Sequence, residues 1–254
     1  MEIIGYLSLV GVGVSLGLLG VGGAILVIPI MMYLFKVPVV LSTSYSLVVV
    51  STTAATAAFR QRHRIDFKRA LAFIIPSLVG VSLSRGIILP NLPSTIGGMT
   101  LEHAIILLLV ALMFTASIIM LSEVKYTPDS EDDKLHLKVA VLAFILGVFL
   151  GILGAGGGFL IIPVLVVLLG FPMKEAVPTS LFITALNSTA GFLIDHQDFT
   201  QDHWASAAKF VASALIGMTI GIELSRKFHP DYLRKAFAWL VLILASFMTW
   251  REFF

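Results

Sequence analysis

The sequence predicts an all-α polytopic membrane protein made of two inverted-topology repeats, each a Gly-rich broken helical hairpin followed by three transmembrane helices. Three observations lead there. Of 254 residues, 58% are hydrophobic and 13% charged, against roughly 45–50% and about 25% in a soluble domain. Several apolar stretches reach the roughly 20 residues that cross a bilayer. Two glycine-centred stretches also match each other without gaps.

Six apolar segments have the length of one span: Val39–Phe59, Ala70–Leu89, His103–Leu121, Met173–Ile194, Ala205–Leu224 and Ala236–Phe254. Two runs are longer. Ile3–Phe35 and Val139–Leu169 hold about 33 and 31 residues, each with glycines in its middle. The alternating pattern of a membrane β-barrel is absent. Met1-Glu2-Ile3 lacks the basic region of a signal peptide, so the first run is expected to remain in the mature protein.

Gly17-Leu-Leu-Gly-Val-Gly-Gly-Ala-Ile-Leu-Val-Ile-Pro29 aligns with Gly151-Ile-Leu-Gly-Ala-Gly-Gly-Gly-Phe-Leu-Ile-Ile-Pro163. The same register pairs Pro38 with Pro172, Ser46 with Ser180 and Leu47 with Leu181. The chain therefore divides into a first repeat (1–121), a solvated cytoplasmic linker (122–138) and a second repeat (139–254).

Charge placement orients the halves. The stretch 60–69 carries five Lys and Arg, whereas its counterpart 195–203 has three acids and neither Lys nor Arg. The next pair of loops shows the reverse: 87–102 has no basic residue, and Arg226, Lys227, Arg234 and Lys235 crowd its counterpart. Basic loops stay on the cytoplasmic side, so equivalent loops fall on opposite sides. With both long runs drawn as hairpins, 13 of the 17 Lys and Arg lie inside, the exceptions being Lys36, Arg85, Lys209 and Arg251. Single spans give at best 10 to 7. Both termini are then outside the cell membrane. Each arm is expected to hold about 16 residues, or about 24 Å of helix, a little short of the hydrocarbon core.

The tips carry Gly17, Gly20, Gly22 and Gly23 in the first half and Gly151, Gly154, Gly156, Gly157 and Gly158 in the second. Glycine admits backbone conformations closed to other residues and close approach by a ligand. Hairpins entering from opposite sides would let their tips meet near the midplane. The helices that follow, from about Ala24 and Phe159, would point N-terminal amides at the centre, which suits an anion. Helix packing is the plainer use of such glycines. The paired broken segments favour a functional tip.

Two Gly-x-x-Gly-x-Gly-Gly tips running into an apolar stretch and proline resemble the TauE/SafE family of sulfite exporter permeases. The resemblance spans the chain and includes Pro178-Thr-Ser-Leu181, while Tyr45-Ser-Leu47 departs from the usual Thr-Ser-Leu. It implies transport of sulfite, sulfonates or related small organosulfur anions across the cytoplasmic membrane.

Polar groups at membrane depth are functional candidates. Ser46 and Ser51–Thr53 lie on the segment after the first hairpin. Thr179, Ser180, Thr184, Asn187 and Ser188 lie on its counterpart, many on one helical face. Such a face offers donors to sulfonate oxygens; interhelical hydrogen bonding is the alternative use. Arg85, inside an apolar segment, either meets the anion or snorkels outward. Glu223 is either a proton carrier or a partner for Arg226.

Zero cysteines exclude disulfides and thiol-ligated metals, no histidine pair has metal-ligand spacing, and no cofactor is implied. The longest polar stretch is too short for a soluble domain, and a net charge of +2 does not suggest nucleic acid. A Walker motif is absent, so the reading is a secondary transporter, an exporter working by alternating access. An anion channel is the first alternative. An intramembrane enzyme is the second, and it lacks a nucleophile with a base in reach. The expected partners are a small anion and the bilayer; a coupling proton and a homodimer are both left open.

Overall fold

The computed structural model describes residues 2–19, 24–93, 95–96, 98–122, 133–154, 157–167, 169–195, 199–225 and 230–253. Among the described residues the chain is all-α apart from one two-residue β-ladder. Its helices are α1 (Glu2–Leu19), α2 (Ala24–Tyr33), α3 (Val39–Arg60), α4 (Phe67–Leu83), α5 (Leu89–Asn91), α6 (Leu101–Leu121), α7 (Asp133–Leu153), α8 (Gly158–Val167), α9 (Met173–Asp195), α10 (Gln201–Ser225) and α11 (Pro230–Phe253). A π-helical turn, Ser84–Ile88, joins α4 to α5 as one span. Strands β1 (Thr95–Ile96) and β2 (Met99–Thr100) pair before α6.

Among the described residues, five helices are long and apolar enough to cross a membrane. Most of their large side chains on one flank remain exposed, as with Leu71, Ile75 and Val79 on α4. In water such a surface would be unstable; in lipid it is the expected exterior. The protein is a multi-pass membrane protein.

Sequence punctuation sets the helix ends. Pro38 precedes α3 with extended geometry (φ −54, ψ 149), and the Thr100 hydroxyl caps α6 by accepting the His103 amide. The Gly157 carbonyl accepts the amides of Leu160 and Ile161 at 3.0 and 3.1 Å, opening α8. Helices α2 and α8 end alike. Lys36 and Gly170 both take left-handed φ, 56° and 64°. The amide of Val37 then reaches the Met31 carbonyl, and that of Phe171 the Leu165 carbonyl. Lys36 and Gly170 occupy matching positions of the two repeats.

The first long run folds as a hairpin. The Tyr6 ring meets Phe35 edge-on at 5.2 Å, so α2 returns the chain to the level where α1 began. The arms are unequal, which corrects the expected 16 residues apiece. The entering arms α1 and α7 hold 18 and 21 residues, and the returning arms α2 and α8 hold 10 each. At 1.5 Å per residue that is about 27 and 32 Å against about 15 Å. The entering arms thus exceed the returning arms by 8 and 11 residues. Helix α7 also starts at Asp133, inside the stretch expected to be linker.

Helix pairing is reciprocal. Helix α1 packs along α10 and α4 along α7, α3 lies against α9, and α6 lies against α11. The first two contacts run parallel and are made by glycines. A Cβ on Gly13 or Gly17 would overlap the backbone of α10 at Ala214 or Met218, and one on Gly217 or Gly221 the backbone of α1 at Val10 or Val14. Gly80 and Gly147 stand likewise against Phe144 and Ser77. Gly17 and Gly151 thus belong to helix contacts and not to the tips, because small residues let backbones approach where lipid gives no hydrophobic drive.

Gly217→Leu should force α1 from α10 and cost at least the roughly 1–3 kcal/mol of overpacking, seen as a lower unfolding midpoint in detergent. Gly11→Leu, on the same helix as Val10 but with nothing within 4 Å of its Cβ position, should leave the midpoint nearly unchanged. Equal effects would remove the backbone contact as the cause.

Candidate functional site

Helices α3 and α9 run antiparallel through the core. Ser44 near the start of α3 donates to Asp195 at the end of α9. At the other end, His63–Phe67 beyond α3 share an open cleft of about 560 Å³ with Lys174 and Glu175 at the start of α9. Helix α4 runs parallel to α9: Ser77 meets Asn187, and Arg85 meets Asp195. These two levels are eight residues, or about 12 Å, apart.

Arg85 is the centre of the upper level. It is 2% exposed and so does not snorkel. Its Nε donates to the Gly151 carbonyl at 2.5 Å and its Nη1 to Asp195 Oδ2 at 2.7 Å. The same carboxylate oxygen accepts from the Ser44 hydroxyl. Nη2 has no hydrogen-bond partner among the described residues. A buried ion costs several kcal/mol to desolvate, and here one carboxylate and one carbonyl offset that cost. The π-helical turn brings the side chain in at this height; such bulges recur at functional sites.

The second glycine tip lies against this cluster. Gly154 has φ +64°, and a Cβ there would stand 2.6 Å from Arg85 Nη2 and 2.7 Å from Thr43 Cβ. Gly157 has φ +75°, and a Cβ there would overlap the Leu150 side chain. Gly158, buried, is the first residue of α8. Gly20, Gly22, Gly23 and Gly156 lie outside the described residues, and with them the expected meeting of the tips. Gly154 stands level with the start of α3 and the end of α9.

Most of the polar residues predicted on α3 and α9 are buried, Ser51 and Thr52 only half so, and several lack partners among the described residues. Ser46, Thr179, Ser180, Thr184, Asn187 and Ser188 are all at most 2% exposed. Ser180 donates to its own helix at Val177, 2.8 Å. Asn187 Oδ1 accepts from Ser77 at 3.2 Å. The hydroxyls of Ser46, Thr179, Thr184 and Ser188 and the Asn187 Nδ2 have no partner among the described residues. Leaving such a group unpaired costs about 1–3 kcal/mol each. The hydroxyls of Ser51, Thr52 and Thr53 instead donate to carbonyls of α3.

The predicted set is not one cluster. Arg85, Gly154 and Ser46 lie toward the Asp195 end, and Asn187 lies one level below. Thr179 and Ser180 are about 24 Å from Asp195 along α9. Asp195, read as a loop acid, is the residue the sequence reading missed as Arg85's partner. Glu223 is exposed near the end of α10, and Lys209 is exposed.

Gly154→Ala should destabilise more than Gly98→Ala. Both glycines have positive φ, costing about 1–2 kcal/mol for an L side chain, but only Gly154 is crowded; Gly98 has nothing within 4 Å. Equal losses of unfolding midpoint would show that the Arg85 contact does not constrain this position.

Comparison with known proteins agrees with this architecture. The family model described as "Sulfite exporter TauE/SafE" matches residues 6–248. A protein named "Probable membrane transporter protein" from Xylella fastidiosa (strain 9a5c) is 27% identical over 257 residues, covering 95% of this chain and 92% of its own. YunE of Bacillus subtilis is 28% identical over 233 residues, 83% of each chain, and MJ0441 of Methanocaldococcus jannaschii is 27% identical over 254 residues, 93% of this chain and 91% of its own. Both carry the same descriptive title. No solved structure matches the chain. The chain belongs to the TauE/SafE family and is a multi-pass membrane transporter.

Proposed function

We propose that this transporter moves sulfite or a related small organosulfur anion out of the cell by alternating access between two inverted halves. The observation that carries the reading is the set of unpartnered, buried donors: Arg85 Nη2, Asn187 Nδ2 and the hydroxyls of Ser46, Thr179, Thr184 and Ser188. Buried polar groups are nearly always paired, so a row of unpaired ones, spread along α9 from Thr179 to the level of Arg85, fits a path for a ligand rich in acceptors. An oxyanion with several oxygens is such a ligand. Its charge meets one guanidinium and otherwise neutral donors, which permits release.

The glycines fit the same reading. Gly154 leaves its Cβ position to Arg85 Nη2, and we assign substrate binding to Gly154, Gly157 and Gly158 together with Gly20, Gly22, Gly23 and Gly156. Reciprocal helix pairing and the antiparallel run of α3 and α9, corresponding elements of the two repeats, support inverted halves. A monoanion carried alone out of a cell negative inside gains about 2.3 kcal/mol per 100 mV. That favours export from the cell membrane, with both termini outside. The anion is moved and not transformed.

Purified protein in liposomes should give saturable flux of sulfite or ethanesulfonate. Arg85→Gln should lower it at least about tenfold, the worth of one charge-assisted hydrogen bond. Flux without saturation would indicate a channel, and no flux of either anion would reject the substrate class.

Because the chain has no cysteine, single cysteines report sidedness cleanly. One placed at Gln61 should react with an impermeant reagent only from the cytoplasm, and one at Gln201 only from outside. Reaction of both from one side would remove the inverted topology.

A further inference from the structure

The Arg85 guanidinium already holds an anion that belongs to the protein. Asp195 sits on Nη1 at 2.7 Å, while Nη2 has no partner among the described residues. The two members differ in access: the Arg85 side chain is 0% exposed and that of Asp195 19%. Solvent reaches the carboxylate and not the guanidinium. The pair is neutral. A monoanion arriving at Arg85 beside an ionised Asp195 would leave a net negative charge in a buried site, at the cost of desolvating it uncompensated. A proton on Asp195 restores neutrality.

We propose that Asp195 is a tethered counter-anion for Arg85, and that one proton binds to its carboxylate for each monoanion that takes its place on the guanidinium. This rests on the reading of Arg85 as an anion site. The anion forms its hydrogen bonds to Nη2 and Nη1 as Asp195, now a neutral acid, gives up the charge. When the anion leaves, the proton leaves and the ion pair re-forms. Anion and proton therefore travel together and the cycle is electroneutral for a monoanion, so the voltage no longer favours either direction and transport follows the concentration gradients of anion and proton.

Among the described residues, Asp195 is the carboxylate that the surroundings bring to Arg85. Helix α8 has no ionisable side chain. On α3 the ionisable residues are Tyr45 and, at the far end, Arg60. On α4 they are Lys68 and Arg69 at its start, and on α7 they precede Val139, at the opposite end from Gly151. The 3-10 turn Arg62–Arg64 is likewise remote, beyond α3. The π-helical turn brings Arg85 alone. His203 stacks on Tyr45 and Phe199. His196 and Asp198 lie outside the described residues. Asp195 and Arg85 also occur once. At the matching positions of the other repeat stand Gln61 and, because Gly80 and Gly217 make the same contact on α7 and α1, Ile222; neither carries a charge, which gives one proton per anion.

The test is calorimetric binding of ethanesulfonate, which keeps one charge at every pH used, to the full-length protein in detergent. Measurement in two buffers of different ionisation heat counts protons taken up. The wild type should take up one proton per anion where Asp195 is ionised beforehand, with affinity falling about tenfold per pH unit there by linkage. Asp195→Asn should take up none and bind with a flat pH dependence. Ser44→Ala deletes the hydroxyl that holds the ionised carboxylate and keeps the pair, so its curve should move to higher pH. Binding without proton uptake in the wild type overturns the proposal and leaves the anion site standing. So does uptake that persists in Asp195→Asn, or, where that variant does not fold, a curve unmoved in Ser44→Ala. Absence of ethanesulfonate and sulfite binding at any pH rejects the anion site itself and this proposal with it.

Discussion

Backbone that leaves the helix at membrane depth must be enclosed by protein, since lipid offers no hydrogen bonds to the freed amides and carbonyls. The arrangement of this chain follows from that requirement. Two long apolar runs break at glycines, and each break needs walls. The first arms α1 and α7 lie along α10 and α4 of the other half, and α2 and α8 pack onto α3 and α9. The glycine contacts between α1 and α10, and between α4 and α7, bring backbones close enough to seal the structure. At the second break, the described residues Gly154 and Gly157 are met by Thr43, Arg85 and Leu150 and not by lipid.

The same enclosure makes the charge at Arg85 expensive and useful. A guanidinium at this depth needs a carboxylate, and α9 supplies it from its last residue. A carbonyl at the end of α7 and a hydroxyl at the start of α3 complete the shell. Four elements thus converge on one side chain. Movement of either half against the other would disturb this cluster, because α3 and the π-helical turn belong to the first repeat and α7 and α9 to the second.

Length and hydropathy made most of the fold legible. Val39–Phe59, Met173–Ile194 and Ala205–Leu224 lie within a few residues of α3, α9 and α10, since an apolar run of bilayer length has few alternatives. The hairpin form of the first run was legible through charge sidedness. The unequal arms were not, because nothing in an unbroken apolar run marks where a helix stops short. Gly17 and Gly151 were read with the tips, although their neighbours lie some 200 and 70 positions away in sequence, at Met218 and Val81. The ion pair was hidden for a related reason: Asp195 stands among loop acids and its partner is 110 positions earlier. The π-helical turn has no signature in composition.

Stability does not explain why the pair is there. Replacing a buried ion pair with packed apolar side chains is often neutral or stabilising by about 1–4 kcal/mol, and this position is surrounded by residues that would pack well, such as Leu47 and Val81 beside Gly191. The unpaired hydroxyls of Thr184 and Ser188 and the amide of Asn187 add further cost on the same helix, where Val or Leu would cost nothing. A single unpaired group could be an accident of packing. A run of them on α9, in line with the buried Arg85, is a surface that a transported ligand can complete. The chemistry they share is donation, which is the ground on which an acceptor-rich anion is proposed as their partner.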